Sequence, residues 1–319
     1  MSGELTGFHH LTAVSADIRA NYAFYTTVMG MRLVKRSVNQ DQVSAYHLFY
    51  SDAVGSPGND LTFFDFHVRP ERRGTRSITR TGLRVNGPEA VEWWAGRLRE
   101  HNVKAAAAVE RDGRLTLDFE DPEGQRLALV DDGGGGDQPV PWERSPVPAE
   151  YQIRGLGPVV MSVPELSRTE AMVVEVLRMR RVREYAHPDN DRDPVHVFEM
   201  GSGGSHAELH VAVQPDLPVT RPGAAGVHHV AFRTPNEEEY HKWTERLSSY
   251  GLAHSGEIDR FYFRSLYVRE PNGILFEIAT DGPGFLVDED PATLGEKVAL
   301  PPFLEPRREE IEAGLQPID

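Results

Sequence analysis

The sequence contains no cysteine, and this absence removes several kinds of chemistry at once. Disulfides, thiolate nucleophiles, iron–sulfur clusters and cysteine-based zinc sites are all excluded. The thirteen histidines remain as the candidate nitrogen ligands and acid–base groups.

Long apolar runs and positive charge are also scarce. No stretch reaches the roughly eighteen apolar residues of a membrane span, and the opening MSGELTGFHH lacks the pattern of a signal peptide. We therefore expect a cytoplasmic protein that does not bind a membrane. Lysine and arginine total 34 against 49 aspartate and glutamate, a net charge of −15. Because such a surface repels phosphate backbones, nucleic-acid binding is not expected.

The clearest interruption of the chain is a glycine-rich run over residues 131–137, followed by a proline-rich stretch that ends near Pro148. This composition is typical of a linker. It predicts an N-terminal domain over residues 1–150, a C-terminal domain over 151–285 and a tail over 286–319.

Four copies of one pattern follow each other along the chain. Each copy has a strand-like run, an amphipathic helix-like run and then further short strands. Aligning the strand-to-helix turns places His10, Arg80, Pro158 and His229 in one column, at separations of 70, 78 and 71 residues. The repeat predicts an α+β fold of four βαβββ modules.

Histidine pairs open the first and last copies, as GFHHLT at residues 7–12 and GVHHVA at 226–231. The last copy also carries Glu277 on a strand that follows a tight turn. Two imidazoles and one carboxylate form a facial set that leaves three coordination positions open, as non-haem Fe(II) oxygenases require. The equivalent acid position is Ala128 in the second copy and is predicted at Phe63 in the first.

Within each pair only one histidine is expected to be a ligand, because adjacent strand residues point to opposite faces. The repeat favours His10 and His229, since each lies seven residues before a helix start, at Asp17 and Asn236. The other two histidines then lie beside the site or on the surface. The second and third copies offer Arg80, Ala128, Pro158 and Glu208, too few ligands for a metal.

At these residues the sequence resembles the vicinal oxygen chelate (glyoxalase/extradiol dioxygenase) superfamily. More narrowly, it resembles hydroquinone ring-cleaving dioxygenases of the chlorohydroquinone 1,2-dioxygenase type. The most specific stretches are residues 8–12, 33–39, 258–263 and 277–285, with 294–297 and 300–302 in the tail.

The resemblance implies two vicinal-oxygen-chelate barrels and Fe(II) held by His10, His229 and Glu277, with Mn(II) as an alternative. It also implies a small aromatic substrate and O2. Copies one and four would have to share the metal barrel, because position 158 is a proline and cannot bind metal. The same resemblance implies a surrounding set of catalytic side chains, His9, Thr12, His228, Arg260 and Tyr267.

The chemistry suggests a role for several members of this set. His228 or His9 could deprotonate a substrate hydroxyl. Arg260 could neutralise charge that develops on oxygen, and Tyr267 could orient it by a hydrogen bond. Arg260 and Tyr267 are expected on the two strands that flank the strand of Glu277.

Two other functions compete with this interpretation. An isomerase or thiol transferase of the glyoxalase kind often uses a further carboxylate on the partner module, but Phe63 cannot ligate a metal. A metal-free binding module would have no use for a complete ligand set. A homo-oligomer is compatible with the sequence, which does not indicate the number of subunits.

Two further segments carry predictions. Residues 69–84 contain six arginines and are interpreted as a solvated face, with an anion contact as the alternative. The tail is expected to pack outside the metal barrel, to include a helix over Arg307–Leu315 and to narrow the substrate entrance.

Overall fold

The four repeat copies fold into the predicted order of strand, helix and three strands. The computed structural model describes residues 3–319. The first copy comprises β1 (Phe8–Ser15), α1 (Ile18–Ala23), β2 (Arg32–Asn39), β3 (Gln42–Ser51) and β4 (Asp60–Asp65). The second comprises β5 (Ser77–Val85), α2 (Pro88–Glu100), β6 (Val109–Arg111), β7 (Arg114–Glu120) and β8 (Arg126–Asp131).

The second half of the chain repeats this order. The third copy comprises β9 (Leu156–Val163), α3 (Ser167–Ala171), β10 (Arg180–His187), β11 (Asn190–Glu199) and β12 (Glu208–Val213). The fourth comprises β13 (Val227–Thr234), α4 (Glu237–Ser249), β14 (Ile258–Asp259), β15 (Arg264–Arg269) and β16 (Leu275–Thr280). A short helix, α5 (Arg308–Gly314), lies in the tail.

The helix starts and stops follow the local sequence. The Asp17 side chain accepts a hydrogen bond from the Ala20 N–H at 3.0 Å, and Asn236 does the same for Glu239 at 3.0 Å. These side chains satisfy backbone donors that the first turn leaves free. After α1 the backbone widens into a π-helical turn over Phe24–Val28.

The strands form two curled sheets of eight. One has the order β14-β15-β16-β13-β1-β4-β3-β2, and the other β10-β11-β12-β9-β5-β8-β7-β6. Copies one and four therefore share one sheet, and copies two and three share the other, which confirms the predicted pairing and the α+β fold. Each sheet takes strands from both sides of residue 150, and the domain boundaries at 150 and 285 remain predictions.

One apolar core joins the two sheets and their helices. It includes Leu11 and Val230 from the first sheet and Leu83 and Val159 from the second, all fully buried. Burying a side chain of this size stabilises the fold by about 1.5–3 kcal/mol. The two sheets therefore stabilise each other.

The tail packs against the outside of the sheet formed by copies one and four, as expected. Val298 forms a parallel bridge with Arg36, and Ile311 of α5 is buried beside Val38. The fully buried Lys35 pairs with Asp288 at 2.7 Å. The helix is slightly shorter than predicted, because a 3₁₀ turn replaces its start. None of the helices in residues 3–319 is long and apolar enough to cross a membrane.

Candidate metal centre

His10, His229 and Glu277 converge where β1, β13 and β16 lie side by side. Ala231 of β13 is in register with Glu277 of β16, and β13 pairs antiparallel with β1. The Nε2 atoms of the two histidines are 3.2 Å apart. Glu277 Oε2 lies 3.2 Å from the Nε2 of His10 and 2.9 Å from that of His229.

These distances fit a facial set of metal ligands. Ligand atoms about 2.1 Å from one ion and at right angles to each other are about 3.0 Å apart. The three side chains are almost fully buried. The donor set of two imidazoles and a carboxylate therefore fits a divalent transition metal such as iron or manganese.

A hydrogen bond to one oxygen orients the Glu277 carboxylate, and the other oxygen is left without a hydrogen bond from the part of the chain that the structure describes. Ser265 donates a hydrogen bond to Oε1 at 2.5 Å, whereas the buried Oε2 has no hydrogen-bond partner among residues 3–319. Burial would raise the pKa of Glu277, but the adjacent His10 and His229 hold it well below its usual range. The carboxylate is therefore ionised and ready to bind a cation.

Two β-bulges place the remaining histidines behind the ligands. His9 is the extra residue between the pairs Phe8–Phe232 and His10–Ala231, and His228 is the extra residue on β13. The expectation that neighbouring histidines point to opposite faces is therefore wrong, because a bulge interrupts the alternation. In each pair the two Nδ1 atoms are 2.8 Å apart, at hydrogen-bond distance.

Hydrogen bonds of this kind fix the ring orientation and tautomer of a ligand histidine. Burial and the neighbouring His10 lower the pKa of His9 to about 3, and burial together with His229 lowers that of His228 to about 4. Both rings are thus neutral near pH 7, and each can accept a hydrogen bond from the Nδ1–H of the neighbouring ligand histidine. His9 is fully enclosed, whereas His228 is only partly buried and reaches solvent.

A small cavity of about 50 Å3 adjoins the ligands. Of the five predicted catalytic side chains, Arg260 and Tyr267 line it, whereas His9, Thr12 and His228 do not. Most of its walls are aromatic, and residues 37–41 complete the lining; the aromatic members are Phe49, Phe64, Tyr262, Phe263 and Tyr267 together with His10, His47 and His229. These walls suit a flat, apolar ring.

His47 is a site residue that the sequence analysis missed. Its Nε2 lies 2.9 Å from Thr62 Oγ1, which lies 2.7 Å from Thr12 Oγ1, so Thr12 acts on the cavity through Thr62 and His47. Burial, with His10 next, lowers the pKa of His47 well below its usual range. Strand alternation could have indicated this role in the sequence, since His47 and Phe49 lie on one face of β3.

Arg260 reaches the cavity from a turn and not from a strand that flanks Glu277. It follows β14, and β14 pairs with β15 rather than with β16. Its guanidinium binds Asp41 at 2.9 Å, and its carbonyl accepts a hydrogen bond from Gln40 at 2.8 Å. Tyr267 does lie beside the ligand strand, in register with Glu277. The predicted placement was thus wrong for Arg260 and right for Tyr267.

Comparison with known proteins agrees with this geometry. A family model described as the Glyoxalase/Bleomycin resistance protein/Dioxygenase superfamily matches residues 7–129 and 155–278. The chain belongs to this superfamily. It is also similar to MhqA of Bacillus subtilis (strain 168), which is named a ring-cleaving dioxygenase, with 45% identity over 316 residues that cover 99% of each chain.

Two further relatives extend over nearly the whole chain. The chlorohydroquinone/hydroquinone 1,2-dioxygenase of Sphingobium indicum is 29% identical over 318 residues, covering 96% of this chain and 94% of its own. The crystal structure of a protein named a dioxygenase from Bacillus subtilis has a TM-score of 0.89 at 32% identity, and the match covers 100% of this chain and 99% of that one. The prediction that this chain is a dioxygenase enzyme is confirmed.

The fourth ligand position used by some members of the superfamily holds a threonine here. Thr12 pairs with Thr62, just as Ala231 pairs with Glu277, so Thr62 and not Phe63 is the equivalent of Glu277 in the first copy. The prediction of Phe63 was wrong by one residue. A threonine supplies no carboxylate, so the first copy contributes only His10 to the three-ligand set.

A second group of potential ligands, Asp112, Glu208 and His210, lies in the other sheet. Arg114 binds both oxygens of Glu208 at 2.7 and 2.8 Å, and Arg183 bridges Glu208 and Asp112. Guanidinium groups therefore already neutralise both carboxylates. The group forms an ion-pair network and is a poorer metal site than the first.

Proposed function

We propose that the chain is a non-haem Fe(II) dioxygenase that opens the ring of a hydroquinone-like substrate with O2 in the extradiol manner. The observation that carries the proposal is the triangle of His10, His229 and Glu277, with edges of 2.9–3.2 Å. Three protein ligands leave three positions for substrate and O2. Mn(II) is the alternative ion, because it accepts the same ligands.

The substrate class is inferred from the cavity and from a relative. Most of the cavity walls are aromatic, and Arg260 and Tyr267 are among the polar groups that line it. The Sphingobium indicum relative is named for chlorohydroquinone and hydroquinone. Both observations favour a phenolic ring that presents one hydroxyl to the metal ligands and stacks against Phe49, Phe64 or Phe263.

The bound metal would supply the coordination of a substrate oxygen and the activation of O2. The chain's own residues would handle protons and charge. In the tautomer in which His47 donates its Nε2–H to Thr62, its Nδ1 is an acceptor for the proton of the substrate hydroxyl. We therefore assign the base role to His47 in preference to His9 or His228, which lie outside the cavity.

Arg260 and Tyr267 would stabilise the negative charge that develops on oxygen. The Tyr267 ring stands edge-on to the His229 ring at 5.7 Å, and the Arg260 guanidinium lies 5.9 Å from the Tyr267 ring. Burial raises the pKa of Tyr267, so its hydroxyl stays protonated and can donate a hydrogen bond. The ring-opened product would carry both atoms of O2, one in a carboxylate and one in a carbonyl group.

Oxygen uptake by the Fe(II)-loaded protein tests the proposal. Hydroquinone, catechol and the methylglyoxal–glutathione adduct are supplied in parallel, with chelator-treated protein as the control. We expect one O2 consumed per hydroquinone and no uptake without metal. Isomerisation of the glutathione adduct without oxygen uptake would indicate a glyoxalase-like enzyme instead. No turnover of any of the three would leave a binding module and contradict the proposal.

A further inference from the structure

The sheet formed by copies two and three encloses a cavity of about 610 Å3, much larger than the one beside the metal ligands. The sheet curls until β10 meets the β6–β7 turn, where Arg183 binds Asp112 at 2.8 Å. Phe119, Leu127 and Leu217 give the cavity an apolar surface. It is thus a cleft with room for a small organic molecule.

The cavity occupies the place in this sheet that the metal centre occupies in the other. Arg80 directly follows a β-bulge at Thr79, as His10 follows the bulge at His9. Ala128 occupies the position of Glu277 in the equivalent strand pair. A guanidinium therefore stands where the metal centre has a histidine ligand, and a methyl group stands where it has a carboxylate.

Arg126 is the half-buried cation of the cavity that forms no salt bridge among residues 3–319, whereas Lys104, also in the lining, is exposed. The Arg126 side chain is half-buried and lines the cavity, and no carboxylate among residues 3–319 lies within 4.0 Å of its guanidinium. Burial, together with the neighbouring cations Arg73 and Arg80, lowers the pKa of Arg126 to about 10. A desolvated guanidinium among like charges is stabilised by an anion placed between them.

Of the acids around Arg126, Glu71 raises the pKa of Arg126 without coming within 4.0 Å of its guanidinium, and two others are already bound to other cations. Asp118 pairs with Arg80 at 3.1 Å and with Arg111 at 2.6 Å, and Glu120 pairs with Arg73 at 2.8 Å. These acids therefore do not satisfy Arg126. Of the arginine run at residues 69–84, Arg73 and Arg80 line the cavity, while the others do not.

The side of the cavity that copy three forms is acidic. Asp189, Asp193 and Asp216 line it, and no lysine, arginine or histidine nitrogen among residues 3–319 lies within 4.0 Å of their carboxylates. This side would repel a second negative charge and would accept hydrogen bonds from a hydroxyl or ammonium group. The cavity therefore distinguishes the two ends of a ligand.

We propose that this second cavity binds a small organic acid, with the carboxylate on Arg126 and a hydrogen-bond donor directed at the acidic side. The ligand class is a hydroxy- or amino-carboxylate with an apolar body that contacts Phe119 and Leu127. The site is separate from the metal centre and is independent of the proposed reaction.

Calorimetric titration of the full-length, chelator-treated chain with 4-hydroxybenzoate tests this proposal. The neutral isostere 4-hydroxybenzamide and the dicarboxylate terephthalate are titrated in parallel at matched ionic strength. The decisive variant is Arg126→Gln, and Arg99→Gln, an exposed arginine on α2, is the matched control. Circular dichroism and oxygen uptake of the Fe(II)-loaded variants check that the fold and the metal centre are intact.

We expect 4-hydroxybenzoate to bind the wild type and the Arg99→Gln variant equally, and to bind Arg126→Gln about ten-fold or more weakly, as the loss of a charge-assisted hydrogen bond implies. The amide and terephthalate should bind more weakly than 4-hydroxybenzoate. Equal binding by the Arg126→Gln variant, equal binding of the amide, or no binding at millimolar concentration would overturn the proposal. Terephthalate that binds as tightly would overturn the role of the acidic side.

Discussion

The two bulge histidines should tune metal affinity equally but contribute differently to stability. His9→Phe and His228→Phe each remove the acceptor that lies 2.8 Å from a ligand Nδ1 while keeping an aromatic ring. Loss of such a partner lowers metal affinity about 10–100-fold, equivalent to about 1.4–2.7 kcal/mol. We therefore expect a similar loss of Fe(II) affinity in both variants.

Their effects on the metal-free protein should differ. His9 is fully enclosed, whereas His228 is partly exposed. Removing a buried hydrogen-bonding group costs about 1–3 kcal/mol. Both substitutions leave the Nδ1 of a buried ligand histidine unpaired and should lower the free energy of unfolding by that amount, and His9→Phe should lower it further because its own ring is buried.

Chelator competition measures the Fe(II) affinity, and urea denaturation of chelator-treated protein measures stability. His67→Phe, at an exposed histidine outside the site, is the control for the substitution itself. Wild-type Fe(II) affinity in both His9→Phe and His228→Phe would refute the role of the bulges. Loss of affinity in only one of them would refute the equivalence of the two pairs.

Four other substitutions test separate parts of the account. Glu277→Gln should greatly reduce Fe(II) content measured by elemental analysis, because a neutral amide is a poorer ligand; unchanged content would count against the site. Tyr267→Phe should keep its iron and lower the rate of oxygen uptake about ten-fold or more, whereas wild-type turnover would leave Tyr267 a packing residue. His47→Asn should lower the same rate about a hundred-fold with iron content unchanged, and a wild-type rate would exclude His47 as the base. Lys35→Met should lower the free energy of unfolding by about 1.5–3 kcal/mol in urea denaturation, because it removes the hydrogen bonds that the buried ammonium donates to Asp288 and Glu289; unchanged stability would contradict the role of this lysine.

The repeat made much of the architecture predictable. Four copies at nearly constant spacing, with a histidine at the aligned strand position only in the first and last, led to the correct pairing of modules. The proline at position 158 excluded the alternative pairing, because proline offers no ligand atom. Periodicity and residue chemistry can be read directly from the sequence, and they were sufficient to predict the modules and their pairing.

The side chains around the metal ligands were harder to predict, because their positions depend on the register between paired strands. A bulge is visible only when a strand is paired with its neighbour, so the orientation of His9 and His228 could not be read from one strand. The alignment of the first copy with the last was one residue out of register, so it selected Phe63 in place of Thr62. Because side chains alternate between faces, that error moves the predicted position to the other side of the strand. His47 lies in no repeated motif, and its place beside the metal ligands comes from the curl of the sheet.

The central claim is that His10, His229 and Glu277 hold one catalytic ion. Crystals of the Fe(II)-loaded chain, measured at the iron absorption edge, test it most directly through an anomalous difference map. The account predicts a single strong peak about 2.0–2.2 Å from both Nε2 atoms and from Glu277 Oε2. A peak beside Glu208 and His210, or no peak between the three predicted ligands, would contradict the account.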